Sequence, residues 1–178
     1  MGGCSATRRI VTKQFWTFLA IGLAAVGAGI GLMFFSTQGA HLDLKGEILK
    51  VRVLALNPQA SLVVADFRIS NPSNVRFVVR TVEMRLDPIS GEPVDGAMFS
   101  KFDTENVFKY EKLLGPKYND VLSIKDQIAP HQTVDRMAGA RFELPESTID
   151  LRKDIHLSIV DLDGTVVDLI EAPIGKRK

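Results

Sequence analysis

The feature that most constrains this chain is an uncharged run of 21 residues near its N-terminus, FWTFLAIGLAAVGAGIGLMFF at residues 15–35. At about 1.5 Å rise per residue, a helix of this length covers roughly 31 Å, which matches the ~30 Å hydrocarbon core of a bilayer. Aromatic residues that would anchor the helix at the membrane interfaces lie at both ends: Phe15, Trp16, Phe18, Phe34 and Phe35. We therefore predict one transmembrane helix, with the lipid bilayer as its partner.

A cleaved signal peptide is the alternative to a membrane anchor. The apolar run is longer than the ~7–15 residues of a signal-peptide core, which favours the anchor, although Thr37 and Gly39 are small enough for a cleavage site. Three basic residues, Arg8, Arg9 and Lys13, precede the helix, and the first fifteen residues after it contain only two. This bias favours a cytoplasmic N-terminus and an exported C-terminal domain in the periplasm, outside the cell or in a lumen.

Small residues recur along the predicted helix with a spacing that allows two helices to approach closely. They are Ala20, Ala24, Gly27, Ala28 and Gly31. This pattern predicts a homodimer through the membrane helix. The frequency of Gly and Ala in membrane helices in general is an alternative explanation.

The overall charge excludes some classes of function. Lys and Arg total 22 and Asp and Glu total 21, so the net charge of +1 argues against a nucleic-acid partner, which usually requires a basic excess. The only cysteine, Cys4, lies before the helix, so the large domain has no disulfide. Cys4 is either acylated or a free thiol.

Beyond Leu42 the dominant hydrophobic period is two, which is typical of strands with one buried face. The apolar positions of these strands are Leu49, Val51, Val53, Ala55; Val63, Ala65, Phe67, Ile69; Val82, Met84, Leu86; Ala138, Ala140, Phe142, Leu144; and Ile155, Leu157, Ile159. We expect Phe67 and Phe142 in a core shared by two antiparallel sheets.

Turn residues separate the strands, and one segment has a helical period instead. The turns are predicted at Asn57-Pro58, Asn71 to Asn74, Ser90-Gly91 and Asp163-Gly164. The helical segment is Thr104 to Leu114, with its packed face at Val107, Tyr110 and Leu114, a cap at Asp103 or Thr104, and Gly115 after its end. A second short helical turn is predicted from Pro145.

These patterns predict an all-β fold, an antiparallel β-sandwich of seven or eight strands with one short inserted helix, behind a single transmembrane helix. The predicted organisation is a cytoplasmic tail (1–14), the membrane helix (15–35), a linker (36–41), the sandwich (42–174) and a basic tail (175–178).

Two segments of the sandwich resemble a known family. LVVADFRISNPSN at residues 62–74 and the proline-bearing turn IAPHQT at residues 128–133 are similar to the WHy-type domain of group 2 late-embryogenesis-abundant proteins. The resemblance covers roughly residues 42–173. It implies an immunoglobulin-like sandwich behind a membrane helix, no enzymatic activity, and a role in stress protection or lipid binding.

The segment IVDLDGTVVD at residues 159–168 resembles the nucleophile motif of haloacid dehalogenase-type phosphatases. That resemblance would make Asp161 the nucleophile and Asp163 the acid and base. The remaining residues of that chemistry need more chain than the 13 residues that follow Thr165. An Asp-Gly hairpin turn explains the same residues, so we predict no catalytic site.

The sequence also predicts no metal site and no cofactor. His41, His131 and His156 are far apart, and no pair has the spacing of metal ligands, so we expect three solvated surface histidines. The DLDG segment lacks the alternating acidic residues and distal Glu of a calcium loop.

We predict a non-catalytic sandwich that binds or scaffolds a lipid, an apolar ligand or a protein at the outer membrane face. Val64, Phe77, Val78 and Val79 exceed what one core face needs and would line an apolar groove, although a strand covered on both faces gives the same string. The alternative function is a structural subunit of a larger membrane complex, in which this apolar surplus would contact protein.

The first testable prediction concerns membrane orientation. A reporter fused after Lys178 should be active only outside the cytoplasm, because Arg8, Arg9 and Lys13 hold the N-terminus inside. Labelling of Cys4 by a membrane-impermeant reagent in intact cells would contradict this orientation.

Overall fold

The structure is a computed structural model, and it describes residues 13–37 and 44–171. Two compact units divide the chain, Met1–Ala40 and His41–Lys178. Cys4, His41, the predicted basic tail and most of the predicted N-terminal tail and linker lie outside the described residues.

The first unit contains helix α1, Lys13–Thr37, which is two residues longer at each end than the predicted span. It is the one helix among the described residues that is long and apolar enough to cross a membrane. Every described side chain from Phe15 to Leu32 is exposed. A helix that is apolar all round, with its described side chains exposed, fits a membrane environment.

The second unit is built from strands, two short α-helices and one 3₁₀ turn. In chain order these are β1 (Lys45–Asn57), β2 (Ala60–Ser70), β3 (Phe77–Asp87), β4 (Val94–Asp95), β5 (Ala97–Met98), α2 (Lys101–Tyr110), the 3₁₀ turn (Lys112–Leu114), β6 (Asp120–Val121), β7 (Gln127–Ile128), β8 (Thr133–Phe142), α3 (Glu146–Asp150), β9 (Asp154–Asp161) and β10 (Val166–Ile170).

These strands form two five-stranded sheets, and the predicted β-sandwich is confirmed. The first sheet has the order β1-β2-β8-β5, and β6 pairs with β8 in parallel. The second sheet has the order β10-β9-β3-β4, and β7 pairs with β3. The number of strands exceeds the predicted seven or eight because four of them, β4 to β7, have only two residues and are too short to show a period of two.

The core lies between the sheets. For four long strands, the residues that face it are those that the period of two predicted. The buried residues include Val63, Ala65, Phe67, Ile69, Met84, Leu86, Ala138, Ala140, Phe142, Ile155, Leu157 and Ile159. Phe67 and Phe142 are both fully buried, as predicted.

Strand β1 follows its predicted phase only in part. Val51 and Val53 pack against the core, but Leu49 is 39% exposed, and Ala55 is exposed as well. Leu49 is exposed because the register shifts between Ile48 and Lys50. A bulge at this point places one extra residue opposite the partner strand.

The inserted helix begins and ends earlier than predicted. Its N-cap is Ser100, whose hydroxyl accepts a hydrogen bond from the Asp103 N–H (3.2 Å), so neither Asp103 nor Thr104 is the cap. Tyr110 is 71% exposed and does not belong to the packed face, because α2 ends there and the chain continues as a 3₁₀ turn. Gly115 follows that turn with a positive φ of 75°, which favours glycine.

The predicted turn at Pro145 is confirmed, since Pro145 is the N-cap of α3. The chain passes from the second sheet to the first at Gly96, between β4 and β5. A Cβ atom at this position would lie 2.7 Å from Cζ of Phe142, so the crossing requires glycine.

The two segments that resemble the WHy-type domain meet in space. The buried Asn71 amide donates to the carbonyl oxygens of Val75 (2.8 Å) and Ile128 (3.1 Å), and the Asn71 N–H donates to the Gln132 carbonyl (2.9 Å). Asn71 therefore joins the loop after β2 to the turn before β8.

The buried phenylalanines give the second prediction. Phe67→Ala or Phe142→Ala should cost ~3–5 kcal/mol of unfolding free energy through lost transfer energy and the cavity left behind. The double variant should not fold, since a typical domain has only ~5–15 kcal/mol in total.

Thermal melts of the full-length protein in detergent measure this effect. The control is Arg141→Ala, because Arg141 is exposed and pairs with the exposed Glu143 at 2.9 Å, which predicts a change within about 1 kcal/mol. An equal loss of unfolding free energy in the arginine and phenylalanine variants would mean that the assignment of the buried face of β8 is wrong.

Candidate functional site

The predicted membrane-anchor residues lie on α1. Phe15, Trp16 and Phe18 are 56%, 62% and 74% exposed. Phe34 and Phe35 lie within the helix, but their side chains are outside the described residues.

The small residues predicted to associate two helices are all exposed. They are Ala20, Ala24, Gly27, Ala28 and Gly31. Among the described residues, no atom beyond the chain neighbours and the helix's own backbone lies within 4 Å of a Cβ built on Gly27 or Gly31. The homodimer remains a prediction.

The predicted apolar groove is wrong for three of its four residues. Val64, Phe77 and Val79 are fully buried, and only Val78 is half-buried. Phe77 and Val79 belong to the core between the sheets, and Val64 lies in a second apolar cluster on the other face of the first sheet. At Val64 the apolar surplus therefore reflects a strand covered on both faces, while Phe77 and Val79 extend the core face of β3.

The cover over the outer face of the first sheet is the insert, which we define as residues 100–119. The second apolar cluster joins side chains of the sheet to the insert and consists of Leu54, Leu62, Val64, Leu114, Val121 and Met137, with Phe99, Val107 and Phe108 packed on it. Because the insert covers the centre of this face, Arg52 and Asp66, which lie on the outward phase of β1 and β2, are buried.

Arg52 is the charged residue at the centre of this covered face. The side chain is 8% exposed, and it donates to Asp66 Oδ2 (2.6 Å) and to the carbonyl oxygens of Leu114 and Pro116 (both 3.0 Å). The second Asp66 oxygen accepts from the Asn119 amide at 3.0 Å. The ion pair thus fixes the insert to β1 and β2.

Two aromatic rings complete the surroundings of Arg52. The guanidinium carbon lies 4.8 Å from the centroid of Phe108 and 5.5 Å from that of Tyr118. Both distances suit a cation–π contact. The period of two places Arg52 on the face of β1 opposite Val51 and Val53, but it could not reveal the layer that covers that face.

The insert exposes four large apolar or aromatic side chains. Phe102 is 71% exposed, Tyr110 71%, Leu113 87% and Tyr118 62%, and we call these four the insert surface. Lysines accompany them: Lys109 Nζ lies 5.5 Å from the Tyr110 centroid, and Lys50 Nζ lies 5.6 Å from the Tyr118 centroid.

The ion pairs beside the insert surface are solvated. Lys117 contacts Glu105 at 3.6 Å and Asp120 at 3.2 Å. The hydrogen bond from Lys117 lowers the pKa of the exposed Asp120 carboxyl. Such surface pairs contribute little to stability.

Asp161, the residue in the position of a phosphatase nucleophile, is buried and binds backbone. Its Oδ1 accepts from the Val78 N–H (2.7 Å), its Oδ2 from the Asp163 N–H (3.4 Å), and its carbonyl from the Gly164 N–H (3.0 Å). The φ of 87° at Gly164 fits the predicted Asp-Gly turn. Asp161 therefore ties the β9–β10 hairpin to β3.

Arg152 and Glu171 form a second buried ion pair. The guanidinium binds the carboxylate through two hydrogen bonds of 2.8 and 2.6 Å, and it also donates to the Ile149 carbonyl at 3.0 Å. This pair holds α3 against the end of β10.

His156 lies among three carboxylates on the outer face of the second sheet. Its Nδ1 lies 2.8 Å from Asp168 Oδ2, and its Nε2 lies 3.4 Å from Asp154 Oδ1 and 3.7 Å from Asp87 Oδ2. The ligand atoms of Asp87, Asp154 and His156 lie within 4.8 Å of one another, which is close enough to hold one metal ion.

Sequence reasoning missed this cluster because strand pairing creates it. Asp154 and His156 are two residues apart and share a strand face, which the sequence alone indicates. Asp87 joins them only through the register of β3 against β9, in which Asp87 lies opposite Asp154. Of the other histidines, His131 is exposed, with Nε2 2.9 Å from Asn74 Oδ1, and His41 lies outside the described residues.

The comparisons with known proteins give only distant structural similarity. No protein-family model matches the chain, and no curated protein is significantly similar to it. Among solved structures, a functionally unknown protein from Listeria monocytogenes EGD-e shares 17% sequence identity, with a TM-score of 0.38 over 74% of this chain and 72% of that one. An uncharacterized β-sandwich protein from Clostridium difficile 630 shares 13%, with a TM-score of 0.31 over 74% of this chain and 82% of that one.

The buried ion pair under the insert gives the third prediction. Arg52→Met should cost ~3–5 kcal/mol, because it leaves the Asp66 carboxylate buried without its cation. The double variant Arg52→Met, Asp66→Leu should recover most of this loss, since removing both charges removes the desolvation cost.

Chemical denaturation of the single and double variants measures the coupling. Arg68→Met is the matched control, because Arg68 lies on the same sheet and pairs with Asp135 at 2.7 Å while 50% exposed. A double variant as unstable as Arg52→Met alone would show that apolar packing cannot replace the ion pair.

Proposed function

We propose that this protein is a non-catalytic β-sandwich, anchored by one helix, that binds lipid at the outer face of a membrane through the insert surface. The observation that carries the proposal is that the insert exposes Phe102, Tyr110, Leu113 and Tyr118. The same chain has a helix that is long and apolar enough to span a membrane.

The chemistry of the insert surface supports a membrane interface as its ligand. Aromatic side chains with one apolar and one polar end favour the headgroup region, and lysines beside them extend to the phosphates. Lys50 and Lys109 are the lysines within cation–π distance of Tyr118 and Tyr110. Exposed apolar groups of this size would otherwise promote aggregation.

The short distance in sequence between helix and sandwich supports the same ligand. Only residues 38–44 separate the end of α1 at Thr37 from the start of β1 at Lys45. A fully extended chain of that length reaches less than about 30 Å. A sandwich tethered so closely meets the bilayer at a high local concentration, so weak contacts suffice.

The buried charges support a binding role without catalysis. Asp161 accepts hydrogen bonds from backbone, and Arg52 with Asp66 and Arg152 with Glu171 form hydrogen-bonded ion pairs. A nucleophile or general base must instead face a substrate.

A relationship to the WHy-type domains of group 2 late-embryogenesis-abundant proteins is part of the proposal. The contact of Asn71 with Ile128 supports it, because it joins the two segments that carry the resemblance. The relationship would imply protection of membranes under stress.

The fourth prediction tests the lipid. The full-length protein, extracted in mild detergent and analysed by native mass spectrometry, should retain lipid adducts. The triple variant Phe102→Ser, Tyr110→Ser, Leu113→Ser should lose them by more than about tenfold, since each contact removed is worth up to ~1.5–3 kcal/mol and 1.4 kcal/mol is tenfold in affinity.

The matched control replaces exposed apolar residues elsewhere on the sandwich. Leu151→Ser, Leu162→Ser should retain the adducts, because these residues are 66% and 59% exposed but lie outside the insert. Equal loss in both variants would contradict a specific surface. A stoichiometric second protein with no lipid would instead support a structural subunit of a membrane complex.

A further inference from the structure

We propose that the outer face of the second sheet binds one divalent transition-metal ion. Its ligands are Asp87 Oδ2, Asp154 Oδ1 and His156 Nε2, which we call the metal cluster. The proposal is independent of the lipid-binding role, since it uses the other sheet and other residues.

The cluster is held by paired strands and not by loops. Asp87 ends β3 and lies opposite Asp154, the first residue of β9. His156 follows two residues later on the same face, because side chains on a strand alternate between faces. Ligands on neighbouring strands keep their separation without help from an ion, so the site is preorganised.

The distances within the cluster suit metal ligands better than hydrogen bonds. His156 Nε2 lies 3.4 Å from Asp154 Oδ1 and 3.7 Å from Asp87 Oδ2, beyond the ~2.7–3.2 Å of a nitrogen–oxygen hydrogen bond. Ligand atoms about 2.1 Å from a tetrahedral ion lie about 3.4 Å from one another. The three atoms lie within 4.8 Å of one another, so one ion can contact all three once the side chains move closer around it.

Asp154 supplies an observation that is independent of the spacing. Its Oδ1 is buried and has no hydrogen-bond partner among the described residues. A buried carboxylate oxygen without a donor is costly, and a cation in the cluster would remove that cost. Asp87 Oδ1 has no hydrogen bond either, but it lies 3.4 Å from Arg85 Nε, which leaves Oδ2 for the ion.

Asp168 orients the histidine. Asp168 Oδ2 lies 2.8 Å from His156 Nδ1, and the Ser158 hydroxyl donates to Asp168 Oδ1 at 3.1 Å. When Nδ1–H donates to this carboxylate, the lone pair of Nε2 is directed into the cluster. A carboxylate bound to the second nitrogen of a histidine is the usual support of a metal ligand.

The ligand set selects the class of ion. One imidazole with two carboxylates suits Zn²⁺ and other first-row divalent ions, and the two carboxylates balance the charge of the ion. The three residues are half-buried, so a water molecule can take the fourth position. Asp168 supports the histidine without being a ligand.

The test is a calorimetric titration of Zn²⁺ into the full-length protein in detergent after removal of metals with a chelator. We expect one equivalent bound per chain. His156→Gln and Asp154→Asn should each lower the affinity more than 100-fold. Asp168→Asn keeps all three ligands and should lower it 10–100-fold, the usual effect of losing the group that orients a histidine.

His131→Gln is the matched control, because His131 is exposed and far from the cluster in sequence. The Zn²⁺ affinity of this variant should equal that of the unchanged protein. Circular dichroism of each metal-free variant checks that it is folded. If a ligand variant does not fold, the Zn²⁺ affinity of Asp168→Asn decides whether the site exists. Failure to bind Zn²⁺ would overturn the proposal. Binding that persists in His156→Gln and Asp154→Asn would also overturn it, because the ion would then be bound elsewhere, for example at Cys4 or His41.

Discussion

Strand β2 is buried on both faces, and the rest of the sandwich depends on covering it. Phe67 on one face packs in the core between the sheets, and Val64 on the other packs beneath the insert. A strand with two apolar faces cannot form the edge of a sheet or face water, so it requires neighbours on both sides and a layer above each face. Strands β1 and β8 supply the neighbours, and the second sheet and the insert supply the layers.

Covering β2 also buries a charge, and this determines how the insert is held. Asp66 follows the same outward phase as Val64, so the insert that covers one must cover the other. Arg52 from β1 neutralises it and also donates to two carbonyl oxygens of the insert. The ion pair therefore determines where the insert docks on the sheet, while the apolar cluster contributes most of the buried surface.

Two kinds of carboxylate can be distinguished in this molecule by their partners. Asp161 and Glu171 are buried with their hydrogen bonds made, so their role is to hold hairpin and helix in place. Asp154 has a buried oxygen with no donor among the described residues, and it lies beside a histidine at a distance that suits a shared ion. An unsatisfied buried oxygen is uncommon and needs an explanation, and the proposed ion supplies one for Asp154.

The apolar helix, the sandwich class and the inward faces of four strands follow from the sequence, because composition and a period of two act over neighbouring residues. Phe67 and Phe142 were placed in this way. Other features required the tertiary structure: Ser100 as the helix cap, Arg52 beneath the insert, and Asp87 beside Asp154. A period reports which face of a strand a residue occupies but not what covers that face or which strand lies next to it. Those depend on contacts between residues distant in the chain, which exist in the folded sandwich alone.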